Sequence, residues 1–258
     1  MAEPALRTHS LSRSFGGLVA VSGVSLACHR GAVHALIGPN RAGKTTLINM
    51  LSGDLAPNAG RIELFGEDVT GLPPERMSQR GVGRSYQKTN IFPAVSAFEN
   101  CRLAAQSRLP SSLRLLRRVE RYHEVNAAAA RALAAAGLGA RADVAAAALS
   151  HGEQRRLEIA MTLATAPRVL LLDEPLAGMS AVESGRMIAL IRALRERHAI
   201  LLVEHDMDAV FALADVLTVM VDGAVLASGR PAEIRARREL RQACRGEGGA
   251  TGPSSARG

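Results

Sequence analysis

Apolar and polar positions divide the chain into two rhythms. Residues 32–37 (AVHALI), 169–172 (VLLL) and 199–203 (AILLV) are nearly unbroken apolar runs of strand length, the pattern of strands covered on both faces within a parallel sheet. Each ends against glycine, proline or acid: Gly38-Pro39, Asp173-Glu174-Pro175 and Glu204-His205-Asp206. Residues 6–11 and 19–26 are also strand-like but are interrupted by Gly16-Gly17 and Gly23, which predicts a small antiparallel sheet ahead of the parallel one. Residues 60–65 (GRIELF) and 81–86 return as strands, and Pro73-Pro74 opens a short helix over 73–79. Residues 216–221 and 225–227 close the sheet around an Asp222-Gly223 hairpin turn. The second rhythm is helical. From residue 97 to 149 strand formers thin out and Ala, Leu and Arg dominate, so a helical subdomain of about residues 97–165 is predicted as an insertion into the α/β core. Residues 180–197 form a further helix, and after Arg245 the GEGGATGPSSARG stretch has no periodicity, which predicts a disordered tail over 246–258.

With 258 residues and 47% hydrophobic content the chain suffices for one large α/β domain, or for one domain with a sizeable insertion. No apolar run approaches the ~20 residues that span a bilayer. Met1 to His9 lacks the basic-then-apolar layout of a secretory signal, so a cytoplasmic chain is expected. Cys28, Cys101 and Cys244 are isolated in sequence and are read as reduced thiols. The net charge of +8 is carried by arginine, with lysine only at positions 44 and 88. With no Trp and two Tyr there is no stacking platform for bases, so nucleic acid is not expected, and anionic lipid headgroups or a membrane partner explain the charge at least as well. Between Cys101 and Arg141 eight arginines face only Glu120 and Glu124, a solvated helical face or a surface turned to such a partner.

Chemistry concentrates where the apolar runs end. Residues 38–46, GPNRAGKTT, fit the G-x-x-x-x-G-K-[ST] template between a strand and the helix that starts near Thr45. Gly38 and Gly43 let the backbone approach phosphates, Lys44 reaches the β- and γ-phosphates, and the Thr45 hydroxyl ligates Mg²⁺. Pro39, Asn40, Arg41, Ala42 and Thr46 complete the predicted ATP cradle. Asp173 supplies a second Mg²⁺ ligand, and Glu174 acts as general base on water. Alone, such an Asp-Glu is often a helix cap; paired with the loop, the nucleotidase reading prevails. His205 is a third polar group at the same sheet edge. Ser150 and Glu153 make a capping box, while Gly152 beside them leaves bare N–H groups suited to a γ-phosphate. Phe15 either stacks on a purine or packs in the small sheet.

The order of phosphate loop, Gln87, LSHGE, LLLDEP and His205 resembles the nucleotide-binding subunit of ABC transporters over about residues 5–242. More narrowly, FGGLVAV, LSHGEQRRLEIA, DEPLAGM and VEHDM are similar to the ATPase subunits of branched-chain amino-acid importers, a group that includes urea and short-chain amide importers. The resemblance implies an α/β fold: an ABC-type phosphate-loop ATPase core with a small antiparallel β subdomain and an inserted α-helical subdomain. It implies a homodimer or heterodimer with a second ABC ATPase subunit, each ATP held between one phosphate loop and the other subunit's Ser150, Gly152 and Glu153. It assigns Phe15 to base stacking, Gln87 to the lid and to Mg²⁺, and His205 to the γ-phosphate. Transmembrane permease subunits and a periplasmic or extracellular substrate-binding protein are the implied partners, at the cytoplasmic face of the membrane. The alternatives are a lipopolysaccharide-type exporter, against which the VEHDM string speaks, and a soluble non-transport ABC ATPase, whose second cassette or long coiled coil is missing here. Three positions depart from the usual pattern of the family: Arg41, where glycine is common, His151, where glycine or, in the importer group, tyrosine is, and Ser180, near which Asp or Asn is.

Overall fold

The computed structural model describes residues 3–86, 90–108 and 123–236. Gln87, the arginines at 114, 117, 118 and 121, Cys244 and the 246–258 tail lie outside them. Strands β1 (Leu6–Phe15), β2 (Leu18–Val24) and β3 (Ala27–Cys28) come first, followed by β4 (Val33–Ile37) and helix α1 (Lys44–Ser52). After α1 come β5 (Ala59–Leu64), β6 (Glu67–Asp68), α2 (Pro74–Gln79) and β7 (Val82–Ser85). Three helices, α3 (Ala97–Gln106), α4 (His123–Ala135) and α5 (His151–Ala164), intervene before the chain returns to the sheet. The remainder alternates β8 (Val169–Asp173), α6 (Ala181–Arg195), β9 (Ala199–Val203) and α7 (Met207–Leu213), then β10 (Val216–Val221), β11 (Ala224–Gly229) and α8 (Pro231–Ala236).

Two sheets result. The antiparallel one runs β2-β1-β5-β6 with β3 also on β1, and the other runs β11-β10-β4-β9-β8-β7. In the second, β10, β4, β9, β8 and β7 are parallel and only β11 is antiparallel. The apolar runs are explained by the pleat, since alternate residues feed different cores. Val169 and Leu171 of β8 join α1 and the antiparallel sheet, whereas Leu170 and Leu172 join the helices α3 to α6. In β9, Leu201 and Val203 face the first core and Ile200 and Leu202 the second. Strand β1 is longer than its apolar pattern predicts. It continues through Ser12 and Ser14 to Phe15 because β2 and β5 flank it, with register shifts near Ser10, whose φ is 46°. Asp222 and Gly223 both take positive φ, 48° and 79°, as the predicted two-residue hairpin requires.

Candidate phosphate-binding and hydrolytic site

The register aligns the carboxyl ends of the central strands: Leu36 lies opposite Val203, and Val203 opposite Asp173. The loop after β4, the acids after β8 and the polar residues after β9 therefore meet at one edge, where ligands of open parallel sheets collect. The loop's glycines are enforced by its surroundings. At Gly43, whose φ is 95°, a Cβ would stand 2.3 Å from the Ala20 carbonyl oxygen, and at Gly38 it would stand 2.1 Å from that of Met220. The β10–β11 turn braces the loop, with Gly223 N–H donating to the Ala42 carbonyl at 3.1 Å. Asn40, Arg41 and Thr45 are exposed. Helix α1 starts at this loop with Gly43 as N-cap, no side chain capping it and no acid in its first turn. Its N-terminal N–H groups and positive dipole end are thus left to an anion.

Lys44 turns its ammonium onto the loop itself, donating to the carbonyls of Gly38 at 2.7 Å and Pro39 at 2.9 Å. Burial lowers its pKa, opposed by the charges of Glu174 and Asp173. Asp173 is 2% exposed. Burial raises its pKa, the Arg84 guanidinium 3.5 Å away counters that, and the Glu174 charge adds to it. Arg84 comes from β7 and was not singled out in the sequence; it also binds Asp54 at 2.8 Å and lies 4.5 Å over the Tyr86 ring. Glu174 takes a positive φ of 49° and donates its N–H to the Val203 carbonyl. The exposed His205 ring places Nδ1 3.9 Å from Glu174 Oε1 and 3.9 Å from Glu204 Oε2.

Glu204 was also missed. It is 1% exposed, accepts from Leu176 N–H at 2.9 Å and from His205 N–H at 3.2 Å, and its pKa is raised by burial against those hydrogen bonds. It ties the loop that carries Glu174 to the one that carries His205. The only sequence signal was an acid placed directly after an all-apolar strand.

Arg41 has φ 69°, the left-handed conformation that favours glycine. Phe15 is 48% exposed, with Arg13 5.0 Å over its ring, which removes the core alternative for it. Ser150 caps α5 through the expected box with Glu153. The expected bare N–H at Gly152 is not found. Glu183 of α6 accepts from it at 3.1 Å and from the Ser150 hydroxyl at 3.2 Å, because the two helix starts abut. Ser180 in turn caps α6 in a box with Glu183, so serine fills the role that Asp or Asn would fill there. Among the described residues no hydrogen bond or ion pair joins 150–153 to the 38–46 loop. Gln87 lies outside the described residues, yet both flanks of its segment are held by α5: Arg155 donates to the Tyr86 carbonyl, and Glu158 accepts from Asn90 N–H.

A parallel-sheet edge that joins a phosphate loop to two strand-end acids, with a capped Ser-x-Gly-Glu helix start alongside, defines an ATPase cassette. Residues 21–177 match the ABC transporter family, and the chain belongs to it. It is 40% identical over 256 residues to the high-affinity branched-chain amino acid transport ATP-binding protein BraF of Pseudomonas aeruginosa, covering 96% of this chain and all of that one. The LivG protein of the same description from Escherichia coli K12 is 38% identical over 254 residues, with 96% and 100% covered. Among solved structures, the ADP conformation of an ATP-binding cassette of an ABC transporter superposes with a TM-score of 0.86 at 28% identity, covering 95% of this chain and all of that one. No described helix is long and apolar enough to cross a membrane.

Proposed function

We propose that this chain hydrolyses ATP to energise uptake of branched-chain or other hydrophobic amino acids, as a peripheral subunit at the cytoplasmic face of the membrane. The observation that carries the hydrolytic reading is the meeting of the 38–46 loop, Asp173, Glu174 and His205 at one sheet edge. The amino-acid reading is supported by relatives matched over their whole length.

The uncapped start of α1 fits a triphosphate, and the hard oxygen donors of Thr45 and Asp173 fit Mg²⁺, with Gln87 as a further ligand. When bound, Mg²⁺ offsets charge on the phosphate oxygens. An arriving triphosphate replaces the Gly38 and Pro39 carbonyls as partners of the Lys44 ammonium. Glu174 takes a proton from the attacking water, while Lys44 and His205 donate toward the transferred phosphoryl oxygens. Phe15 stacks on the base. Ser150, Gly152 and Glu153 act on the nucleotide of an opposing subunit, identical or related, so hydrolysis needs a dimer. A groove of about 460 Å³ between α2, β7, α3 and α5 is lined by Glu75, Tyr86, Asn90 and Arg108. It offers a seat to a permease subunit beside Tyr86 and Asn90, the residues that border the Gln87 stretch in sequence.

Glu174→Gln tests the assignment. It keeps every phosphate contact and removes the base, so turnover falls by orders of magnitude and ATP with Mg²⁺ traps a dimer on size exclusion. Wild-type turnover, or a variant that stays monomeric at high concentration, removes Glu174 from this role.

A further inference from the structure

The opposite edge of the parallel sheet carries a second cavity. Arg30 precedes β4, Arg168 precedes β8 and His198 precedes β9, so three basic residues stand at the amino ends of adjacent strands, away from the phosphate loop. Arg197 adds a fourth and Arg131 of α4 a fifth, around a cavity of about 570 Å³. It is also lined by the alanines of α4 with Leu163 and Leu194, and among the described residues no carboxylate lines it. Elsewhere Arg61, Arg80, Arg84, Arg102, Arg141 and Arg195 each meet an acid. Among the described residues none of the four arginines around this cavity does. Arg168 instead lies 3.3 Å over the Phe65 ring. His198 has its pKa lowered first by burial, against the hydrogen bond to the Leu194 carbonyl, with smaller lowering by the charges of Arg30 and Arg197.

Four exposed arginines ring one apolar-lined cavity, and an anion seated among them can accept charge-assisted hydrogen bonds from more than one guanidinium. The volume of about 570 Å³ falls in the range of small-molecule pockets, and the apolar lining selects for a ligand with a hydrocarbon body beside its charged head. We infer that this cavity binds a small soluble anionic amphiphile, a phosphate or carboxylate head on a short apolar body, independently of the nucleotide.

Hexyl phosphate is the probe, titrated calorimetrically into the full chain, with inorganic phosphate, neutral hexyl glucoside and phosphatidylglycerol vesicles run alongside. Hexyl phosphate is expected to bind one to one, more tightly than inorganic phosphate or the glucoside, with and without ATP present. Arg168→Ala/Arg197→Ala and, separately, Arg30→Ala/Arg131→Ala are expected to weaken it by roughly tenfold per guanidinium lost while ATP affinity is kept. ATP binding reports that each variant is folded, and either pair alone suffices for the test. Equal binding by wild type and a folded variant overturns the inference. So does equal binding of the glucoside, competition by ATP, or association with vesicles but not with hexyl phosphate, which would make the cluster a bilayer-facing surface.

Discussion

Glu204→Ala removes a buried side chain that joins the loops after β8 and β9. Its two acceptor oxygens serve Leu176 N–H at 2.9 Å and His205 N–H at 3.2 Å. The Leu176 N–H becomes buried without a partner, which costs about 1–3 kcal/mol. The His205 N–H borders solvent and can recruit water, adding less than ~1 kcal/mol. Burial already disfavours the ionised carboxylate, so its loss returns part of this, and the net destabilisation is about 1–3 kcal/mol. Glu204→Gln keeps an oxygen for Leu176 and is expected within ~1 kcal/mol of wild type. Urea unfolding of the three proteins should therefore rank alanine last. The pH dependence carries a second sign. Because the folded pKa lies above the ordinary 4.5, the folded chain binds this proton more tightly, and wild type gains on Glu204→Gln as pH falls through that window and loses as it rises. Leu176 is two residues from Glu174, so in the alanine variant kcat should fall about tenfold with KM for ATP little changed. An alanine variant within ~0.5 kcal/mol of wild type, or a glutamine variant as unstable as alanine, refutes the reasoning.

Arg41→Gly relieves about 1 kcal/mol of left-handed backbone strain, partly offset by a freer unfolded chain; titration with a fluorescent ATP analogue should show equal or tighter binding with ATPase activity kept, and a loss would make the guanidinium a phosphate or interface contact. Glu158→Ala breaks the buried pair with Arg155, 3.1 Å apart, and frees Asn90 N–H; it should destabilise by about 3 kcal/mol in thermal or urea unfolding. His34 is held neutral, its pKa lowered by burial, with Nε2 2.7 Å from the Thr218 hydroxyl. Its contribution is present above the ordinary 6.5 and lost as pH falls below it, so the stability advantage of wild type over His34→Gln should shrink with acidification. Burial pushes the Cys28 and Cys101 thiols up to about 12; iodoacetamide near roughly pH 8 should leave both unlabelled until the chain unfolds.

The elements that position the site were legible because their signals are local. Strands β4, β8 and β9 are buried at every position and apolar except at His34 and Asp173, so they show no in–out alternation, and the 38–46 loop and the Ser150–Glu153 box each declare themselves within a few residues. What stayed hidden depends on pairing between distant segments. Nothing near Arg84 says that it meets Asp173 across β7 and β8, and nothing near Glu204 says that Leu176 donates to it. Phe15 could be read two ways because its exposure depends on where β1 and β2 end, and both run to the tip of their hairpin.

Glu183 shows what such distant pairing does to the chemistry. Its Oε2 accepts from the Ser180 N–H and hydroxyl, and its Oε1 from Gly152 N–H and the Ser150 hydroxyl. These contacts, those of Ser180 foremost, hold its pKa below the ordinary range, so it is an anion at neutral pH. A Cβ at Gly152 would come within 2.5 Å of Oε1, so glycine there admits a carboxylate as much as it would admit a phosphate. The N-terminus of α5 in the single chain is therefore an anion seat already taken by the chain's own acid. A γ-phosphate from an opposing subunit, as proposed above, has to displace Glu183, which keeps its Ser180 contacts and leaves α6 capped. Dimer closure is then an exchange of one anion for another at the same N–H, favoured by the phosphate's greater charge and number of acceptor oxygens. On the proposed dimer mechanism, that exchange leaves a smaller net gain than capture by an empty helix end, and a smaller gain would favour reopening once the phosphate bond is broken.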